Sequence, residues 1–236
     1  MKLSIGAKRL IRAHSAALVS AVLAIACACS SSSTPSSQMA NSPAAQTAVQ
    51  ASGFDYYLLA LSWAPQFCAT SNRAESSECD PSRRYGLVVH GLWPQNDNGS
   101  YPENCAPTRP VANDTARQLL PIMPSRGLIQ HEWKEHGSCT GLEAQSYFGE
   151  LQQAFAKLQV PQEYRAPAQT VRVSPAEVAQ EFADANHAPA SAFHVACSGG
   201  EFSGVNVCLT KDLKYRSCGA GVRECRARSV TIRPVQ

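Results

Sequence analysis

The sequence lacks the patterns of several common classes of protein. No Cys-x-x-Cys pair occurs among its ten cysteines, and metal clusters need ligands in close pairs, so bridges between cysteines are favoured over a metal cluster. The apolar run from Ala16 to Ala26 is too short to cross a bilayer as a stable helix. No internal repeat is visible. The length of 236 residues is enough for one domain of ordinary size.

The chain also has little net charge once its first residues are set aside. The formal charge is +3, but four of the 21 basic residues and none of the 18 acidic residues lie in residues 1–29. The remainder holds 17 basic and 18 acidic groups, which does not indicate a globally basic nucleic-acid binder. Seven basic residues near the end form either a surface for a polyanion or an ordinary solvated face: Lys211, Lys214, Arg216, Arg223, Arg226, Arg228 and Arg233.

The first 52 residues have the composition of export and spacing segments. Residues 1–29 join a basic start to a short apolar run, which predicts a signal peptide. Cys27 fits a lipoprotein cleavage site, Cys29 fits one less well, and ordinary signal cleavage in the same region is the alternative. Residues 30–52, rich in Ser, Ala and Pro, predict a flexible linker. We therefore expect an exported protein, periplasmic or extracellular, either lipid-anchored or free, with its folded domain at residues 53–236.

Eight cysteines lie beyond the leader. An even number in an exported chain predicts up to four disulfides, and sequence spacing alone permits 105 pairings. The eight are Cys68, Cys79, Cys105, Cys139, Cys197, Cys208, Cys218 and Cys225.

Apolar runs and helical periodicity alternate irregularly in the rest of the chain. This pattern predicts an α+β fold, with a central antiparallel sheet, helices packed mainly on one side, and disulfide cross-links. Strands are predicted at residues 54–63, 85–90, 193–197, 204–209 and 230–232, with Pro94 closing the second. Helices are predicted at 114–120, 127–135 and 142–158, and a capping box at Ser174–Glu177 predicts another to about residue 186. Residues 64–84 are predicted to form a loop closed by cysteines.

The segment His131–Cys139, HEWKEHGSC, places two imidazoles, two carboxylates, an amine, an indole and a thiol in nine residues, a density that an inert surface helix has little reason to carry. In a helix, Glu132 and His136 stand at i and i+4 on one face, whereas His131 and His136 lie about 140° apart. The zinc protease pattern is H-E-x-x-H, but this segment reads H-E-x-x-x-H. A zinc hydrolase using His131, Glu132 and His136 is therefore a weak alternative.

A second motif, His90–Gln95 or HGLWPQ, lies about forty positions earlier. The two motifs resemble HGLWP and HEW-x-x-HG-x-C, the active-site segments of the ribonuclease T2 family. The resemblance extends over residues 53–236. It implies an exported acid endoribonuclease that cleaves single-stranded RNA with low base specificity, as a monomer without metal or cofactor. The alternative is a catalytically weak, envelope-anchored protein that keeps the fold and binds nucleotides or RNA.

Cleaving RNA by transphosphorylation requires a base for the ribose 2′-OH, an acid for the departing 5′ oxygen, and groups that stabilise the phosphoryl oxygens. Two histidines suit this task, since an ordinary pKa near ~6.5 lets one be neutral while the other is charged. The resemblance implies a 2′,3′-cyclic phosphate that is hydrolysed to a 3′-phosphate. It implies these roles: His136 as base, His90 as acid, Glu132 at the phosphoryl centre, His131 and Lys134 on phosphate, and Trp93 and Gln95 on a base.

Some of these assignments have alternatives. Trp93 is either a stacking face for a base or a core indole, and for Trp133 core packing is favoured. The family usually has Lys just before the second catalytic histidine, where this chain has Glu135. Lys134 lies one place earlier, about 100° away around a helix. Three outcomes are open: the long Lys134 side chain still reaches the phosphate, an Arg of the C-terminal region replaces the missing lysine, or activity is lower. Gln95 replaces a frequent acidic residue, which leaves base preference open.

The same resemblance implies four disulfide pairs. They are Cys68–Cys79, Cys105–Cys139, Cys197–Cys225 and Cys208–Cys218. The second pair would hold the active-site helix against the loop that follows the first motif.

Overall fold

The computed structural model describes residues 53–71 and 77–235. The predicted signal peptide and linker, with Cys27 and Cys29, lie outside the described residues. The strands are β1 Tyr56–Trp63, β2 Leu87–Gln95, β3 Val171–Val173, β4 Phe193–Ser198, β5 Glu201–Leu209 and β6 Val230–Ile232. The helices are α1 Ala64–Thr70, α2 Asn113–Leu119, α3 Arg126–Glu135, α4 Ala144–Lys157, α5 Gln162–Arg165 and α6 Pro175–Asn186.

The strands form one sheet in the order β2-β1-β5-β6-β3, with β4 also paired to β5. Pairing is antiparallel apart from a single parallel contact of β5 with β6 at Glu201 and Thr231. The predicted α+β class with a central, mainly antiparallel sheet is confirmed. No helix within the described residues has the length and apolar character needed to cross a bilayer.

Strand β1 divides the molecule into two sides because side chains alternate along a strand. Tyr57, Leu59 and Trp63 contribute to the large hydrophobic core, which also contains the buried side chains of α2, α3, α4 and α6. Tyr56 and Leu58 face the other side and belong to a small separate cluster with Cys208. The helices therefore cover one face of the sheet, as predicted, and the opposite face is free to form a site.

Strand β2 is longer than predicted, because it continues through Pro94 to Gln95. A proline has no N–H to donate, but β2 is an edge strand of the sheet, where one side of the backbone needs no partner. His90 therefore does not lie at the end of a strand. It lies within β2 at a β-bulge, since Ala60 pairs with Gly91 and Leu61 with Val89, which leaves His90 as the extra residue.

Two other predictions for local structure need correction. The loop predicted from residue 64 begins as helix α1, with Pro65 in its first turn where its missing N–H is harmless. The short elements α5 and β3 were not predicted, since four and three residues give too little periodicity to recognise.

Helix α6 begins as its sequence predicts. Ser174 and Glu177 form a reciprocal capping box, in which Oγ of Ser174 accepts from the Glu177 N–H at 3.2 Å and the Glu177 carboxylate accepts from the Ser174 N–H at 3.0 Å. Two otherwise unpaired N–H groups of the helix end are thereby satisfied.

The four disulfides in the structure are the pairs that the resemblance implies. They join Cys68 to Cys79, Cys105 to Cys139, Cys197 to Cys225 and Cys208 to Cys218. Such cross-links persist in oxidising compartments and are rare in the cytosol. The disulfides therefore fit an exported protein.

Candidate active site

The bulge in β2 turns His90 out of the sheet. Its imidazole is 43% exposed, although its neighbours Val89 and Leu92 are fully buried. Oγ of Ser62 in β1 lies 3.2 Å from Nδ1 of His90. When the hydroxyl donates to Nδ1, the Nε2 of the neutral ring carries the hydrogen and faces Glu132. Ser62 thus orients the ring, a role that sequence reasoning missed although Ser62 is the only side chain of β1 that is neither aliphatic nor aromatic.

Helix α3 carries the second motif and is positioned at both ends. At its start, Oγ of Ser125 accepts from the Leu128 N–H at 3.2 Å, and after Glu135 the chain passes into a 3₁₀ turn, Gly137–Cys139. The disulfide from Cys139 to Cys105 ties that turn to the preceding loop. Since the helix ends there, His136 lies at its C-cap.

Glu132 lies at the centre of the candidate site and is fully buried. Its Oε2 accepts a hydrogen bond from Nε1 of Trp93 at 2.7 Å and lies 4.0 Å from Nε2 of His136. Its Oε1 lies 3.5 Å from Nε2 of His90. The i,i+4 relation of Glu132 and His136 therefore does place both on one face, and β2 brings His90 to the other carboxyl oxygen.

Burial determines the charges of these groups. It raises the pKa of Glu132 to about 8, opposed by the hydrogen bond from Trp93, so the carboxyl keeps its proton at neutral pH. Burial, reinforced by His131, lowers the pKa of His136 to about 4. The same two causes lower the pKa of His90. The site thus combines a neutral imidazole that can accept a proton with a carboxyl that can donate a hydrogen bond.

Trp93 lies between the two imidazoles and is not simply a core residue. Its ring centroid is 5.1 Å from that of His136 at a tilt of 33° and 5.7 Å from that of His90, edge to face. Part of the indole also lines an open cleft beside His136. Trp133, in contrast, packs in the main core against Tyr147 at a centroid distance of 5.9 Å, as expected.

The glycines of both motifs permit close packing at this site. A Cβ added at Gly91 would overlap Oε2 of Glu132 and Nε1 of Trp93, the two atoms of the central hydrogen bond. A Cβ added at Gly137 would overlap the Trp133 ring. Glycine at position 91 therefore allows β2 and α3 to approach closely, and glycine at position 137 allows the turn after α3 to pack on Trp133.

Replacing Gly91 with alanine is expected to destabilise the protein by about 1–3 kcal/mol, because overpacking forces the Trp93–Glu132 pair apart. Urea unfolding measures the loss. Gly149→Ala is the matched control, since an added Cβ there has no atom within 4 Å and helix α4 should gain roughly 0.5–1 kcal/mol. Equal stabilities for the two alanine variants would contradict this packing.

The remaining predicted site residues differ in how close they lie to the two imidazoles. His131 is exposed, yet it is close enough to lower the pKa of both His90 and His136. Lys134 is not brought to the two imidazoles: its side chain is 63% exposed and its Nζ lies 3.4 Å from Oε1 of Glu135. Gln95 is buried and lines the same cleft as Trp93.

Glu135 accounts for part of this arrangement. Its carboxylate accepts a hydrogen bond from the Asn104 amide, and its backbone carbonyl accepts from the Asn104 N–H at 2.8 Å. Glu135 therefore holds the loop next to the Cys105–Cys139 disulfide. It faces that loop and leaves the space between the imidazoles clear.

The cleft beside His136 has a volume of about 330 Å³. Sequence reasoning missed several of its residues because they come from loops far apart in the chain. Its walls include Tyr101 and Glu103 from the loop after β2 and Val222 and Arg223 from the loop before β6, with Leu58 and Asn206 on the sheet. Within residues 53–71 and 77–235, no group of three His, Cys, Asp or Glu side chains is arranged to hold a metal ion.

Comparison with known proteins gives a consistent result. The chain is 39% identical to a probable ribonuclease of Haemophilus influenzae over 120 residues, which cover 45% of this chain and 44% of that protein. It is 43% identical to a ribonuclease of Aeromonas hydrophila over 105 residues, which cover 43% and 46%. The matched region thus spans less than half the length of either curated relative.

The fold is also found in solved structures. An RNase-related protein from Calystegia sepium superposes with a TM-score of 0.65 at 19% identity, covering 78% of this chain and 100% of that one. The family model described as the Ribonuclease T2 family matches residues 54–218, which include both motifs and all three groups around Glu132. The chain therefore belongs to the ribonuclease T2 family.

Proposed function

We propose that the protein is an endoribonuclease that cleaves single-stranded RNA by transphosphorylation, with low base specificity and without a metal. One observation carries the proposal: two imidazoles lie 3.5 and 4.0 Å from the two oxygens of one buried carboxyl. This is the arrangement of base, acid and phosphoryl-stabilising group that the reaction needs. The names of the two curated relatives support the same activity.

In the first step, Nε2 of His136 takes the proton from the ribose 2′-OH. The freed oxygen attacks phosphorus, and the P–O5′ bond breaks as His90 gives a proton to the departing oxygen. A 2′,3′-cyclic phosphate results. His136 suits the role of base because its low pKa keeps it neutral, whereas His90 is the more exposed ring and exchanges protons with solvent more readily.

The second step reverses the two roles. His90 takes a proton from water as the water oxygen attacks phosphorus. The P–O2′ bond breaks as His136 returns a proton to the 2′ oxygen, and a 3′-phosphate results. Protonated Glu132 donates a hydrogen bond to a phosphoryl oxygen in both steps. Its Oε1 is buried without a hydrogen-bond partner among the described residues, so this oxygen is available to carry the proton.

His131 binds the phosphate in this proposal, because it is the exposed imidazole that lies beside both reacting histidines. Lys134 takes no part, because its ammonium group lies against Glu135. Trp93 forms one wall of the base cleft, where stacking on an aromatic ring contributes roughly 1–3 kcal/mol per base.

An RNA gel assay with EDTA present tests the proposal. The wild-type protein is expected to clear RNA, and His136→Ala is expected not to. A folded wild-type protein that binds RNA but clears none would instead favour the second candidate, an envelope protein that binds nucleotides without turnover. If EDTA abolished the clearing of RNA, the result would favour a metal-dependent hydrolase.

The rate should depend on pH with a maximum on the acid side. Activity rises as pH rises through the His136 pKa of about 4, since the base must be neutral. It falls as pH rises through the pKa of His90, which lies below its ordinary value of 6.5, because the acid must be protonated. A profile of kcat/KM for a dinucleotide reports these groups in the free enzyme. A maximum at or above neutral pH would contradict the assignment.

We further propose that the mature protein is exported as a monomer and anchored through lipid on Cys27. The support is the sequence of the leader and the linker of residues 30–52, which would separate a folded domain from a membrane surface. Mass spectrometry of the mature N-terminus distinguishes a lipidated Cys27 from ordinary signal cleavage.

A further inference from the structure

The cleft beside His136 carries two charged groups that no step of the proposed mechanism uses. Glu103 and Arg223 both line it, from opposite loops. Neither forms a hydrogen bond or an ion pair with another described residue. By contrast, the nearby Arg216 forms an ion pair with Asp97 at 2.6 Å. A carboxylate and a guanidinium that share a cleft without joining are free to bind a ligand that has donors for one and acceptors for the other.

The backbones of both loops are tethered, so the two exposed side chains extend into the cleft from fixed positions. Glu103 is followed by Asn104, which bonds to Glu135, and by Cys105, which is cross-linked to Cys139. Arg223 lies between Cys218 and Cys225, and each of these is cross-linked to a strand, at Cys208 and Cys197.

The two loops also contact each other. The Ala220 N–H donates to the Asp97 carbonyl at 2.9 Å. Gly99 and Gly221 pack so closely that a Cβ on Gly221 would lie 2.8 Å from Cα of Gly99. Both glycines have positive φ, at 86° and 90°, which a larger residue rarely adopts. The width of the cleft is therefore set by the fold.

The position of the cleft indicates which nucleotide it holds. His136 lines it, whereas His90 does not. In the proposed reaction His136 acts on the 2′-OH of the nucleotide on the 5′ side of the scissile phosphate. The base of that nucleotide is the group that would enter the cleft beside Trp93.

We infer that this cleft favours guanine, with Glu103 accepting from N1–H and N2–H and Arg223 donating to O6 and N7. Guanine presents two adjacent donors on one edge and two adjacent acceptors on the next. Arginine binds O6 and N7 of guanine through two hydrogen bonds, and a carboxylate pairs equally well with two parallel donors. Adenine has no such pair of donors, and neutral pyrimidines lack one of the two pairs. The inference rests on the proposed function and names its preferred substrate within a broad range.

Initial rates for GpU, ApU, CpU and UpU test the inference. We expect kcat/KM for GpU to exceed that for ApU by about ten-fold, the low end of the discrimination given by one good bidentate pair. Glu103→Gln and Arg223→Ala should each lower the GpU-to-ApU ratio, because each removes one of the two pairs of hydrogen bonds. Glu143→Gln, a change at an exposed carboxylate at the N-cap of α4, is the matched control and should leave that ratio unchanged.

Calorimetric binding of 5′-GMP and 5′-AMP makes the same comparison without turnover, so the two proposals fail separately. Cleavage of all four dinucleotides at similar rates would overturn the guanine preference alone. A preference for another base, or a guanine preference that Glu103→Gln leaves unchanged, would also overturn it. No cleavage, together with tighter binding of GMP that depends on Glu103, would overturn the enzyme and leave the guanine site standing.

Discussion

Replacing His136 with alanine is expected to lower kcat/KM for a dinucleotide by about 10²–10⁴-fold, the usual contribution of a general base. The reason is its position: the ring is buried, neutral at working pH and 4.0 Å from the Glu132 carboxyl, the group proposed to stabilise the phosphoryl oxygens. His90→Ala should cause a loss of the same order in the first step, because the leaving oxygen then departs without a proton. Steady-state rates at the pH optimum measure both effects.

His187→Asn is the matched control for these variants. His187 is an exposed histidine at the C-cap of α6, where its φ of 51° is one that asparagine also tolerates. It should leave kcat/KM unchanged. A His136→Ala variant that is folded and retains more than about a tenth of the wild-type rate would fall outside the range expected of a general base, and His136 would then have to be removed from the mechanism.

Replacing Glu132 with glutamine is expected to stabilise the protein and still leave much of its activity. The pKa of Glu132 is raised to about 8 in the fold from an ordinary 4.5, so the folded state holds a proton that the unfolded state releases between these values. Stability therefore falls as pH rises from about 4.5 through 8. At pH 7 the raised pKa lowers the free energy of unfolding by roughly 3 kcal/mol, at about 1.36 kcal/mol per pKa unit. Glutamine does not titrate, so it avoids this loss while keeping an acceptor for Trp93.

Urea unfolding at pH 4 and pH 7 checks the stability part of this prediction, since the advantage of Glu132→Gln should appear at pH 7 and vanish at pH 4. Rates check the other part. Glutamine can still donate to a phosphoryl oxygen, so we expect a loss within about ten-fold, whereas Glu132→Ala removes the donor and should lose about 10²–10³-fold. Equal losses of activity for Glu132→Gln and Glu132→Ala would contradict the role of Glu132 as a hydrogen-bond donor to the phosphoryl oxygen.

Much of the fold could be predicted because local signals were strong. The capping box at Ser174 predicted the start of α6, and the continuous apolar run of β1 predicted a buried strand. Strand β2 was predicted too short because a proline within a strand usually marks its end, and no local signal reveals that Pro94 lies on an edge strand. The bulge at His90 is equally hidden, since it depends on the register with β1.

The convergence of the candidate reacting groups was predictable, and the surroundings of the site were not. His90, Glu132 and His136 stand in two compact motifs, and the structure brings these three side chains together. Glu103 and Arg223 are 120 positions apart and are brought to one cleft by disulfides and by loop packing, which no spacing rule predicts. The effect of the reversed pair Lys134–Glu135 was also visible only in the structure. Glu135 bonds to Asn104, so its side chain faces that loop and does not enter the space between the imidazoles.

The central claim is that two histidines cleave RNA through a cyclic intermediate without a metal. A time course of dinucleotide cleavage in EDTA, followed by ³¹P NMR, tests this most directly. We predict that the 2′,3′-cyclic phosphate appears first and then converts to the 3′-phosphate, and that His136→Ala suppresses its formation. Products that carry a 5′-phosphate, or cleavage that requires a metal ion, would contradict the claim.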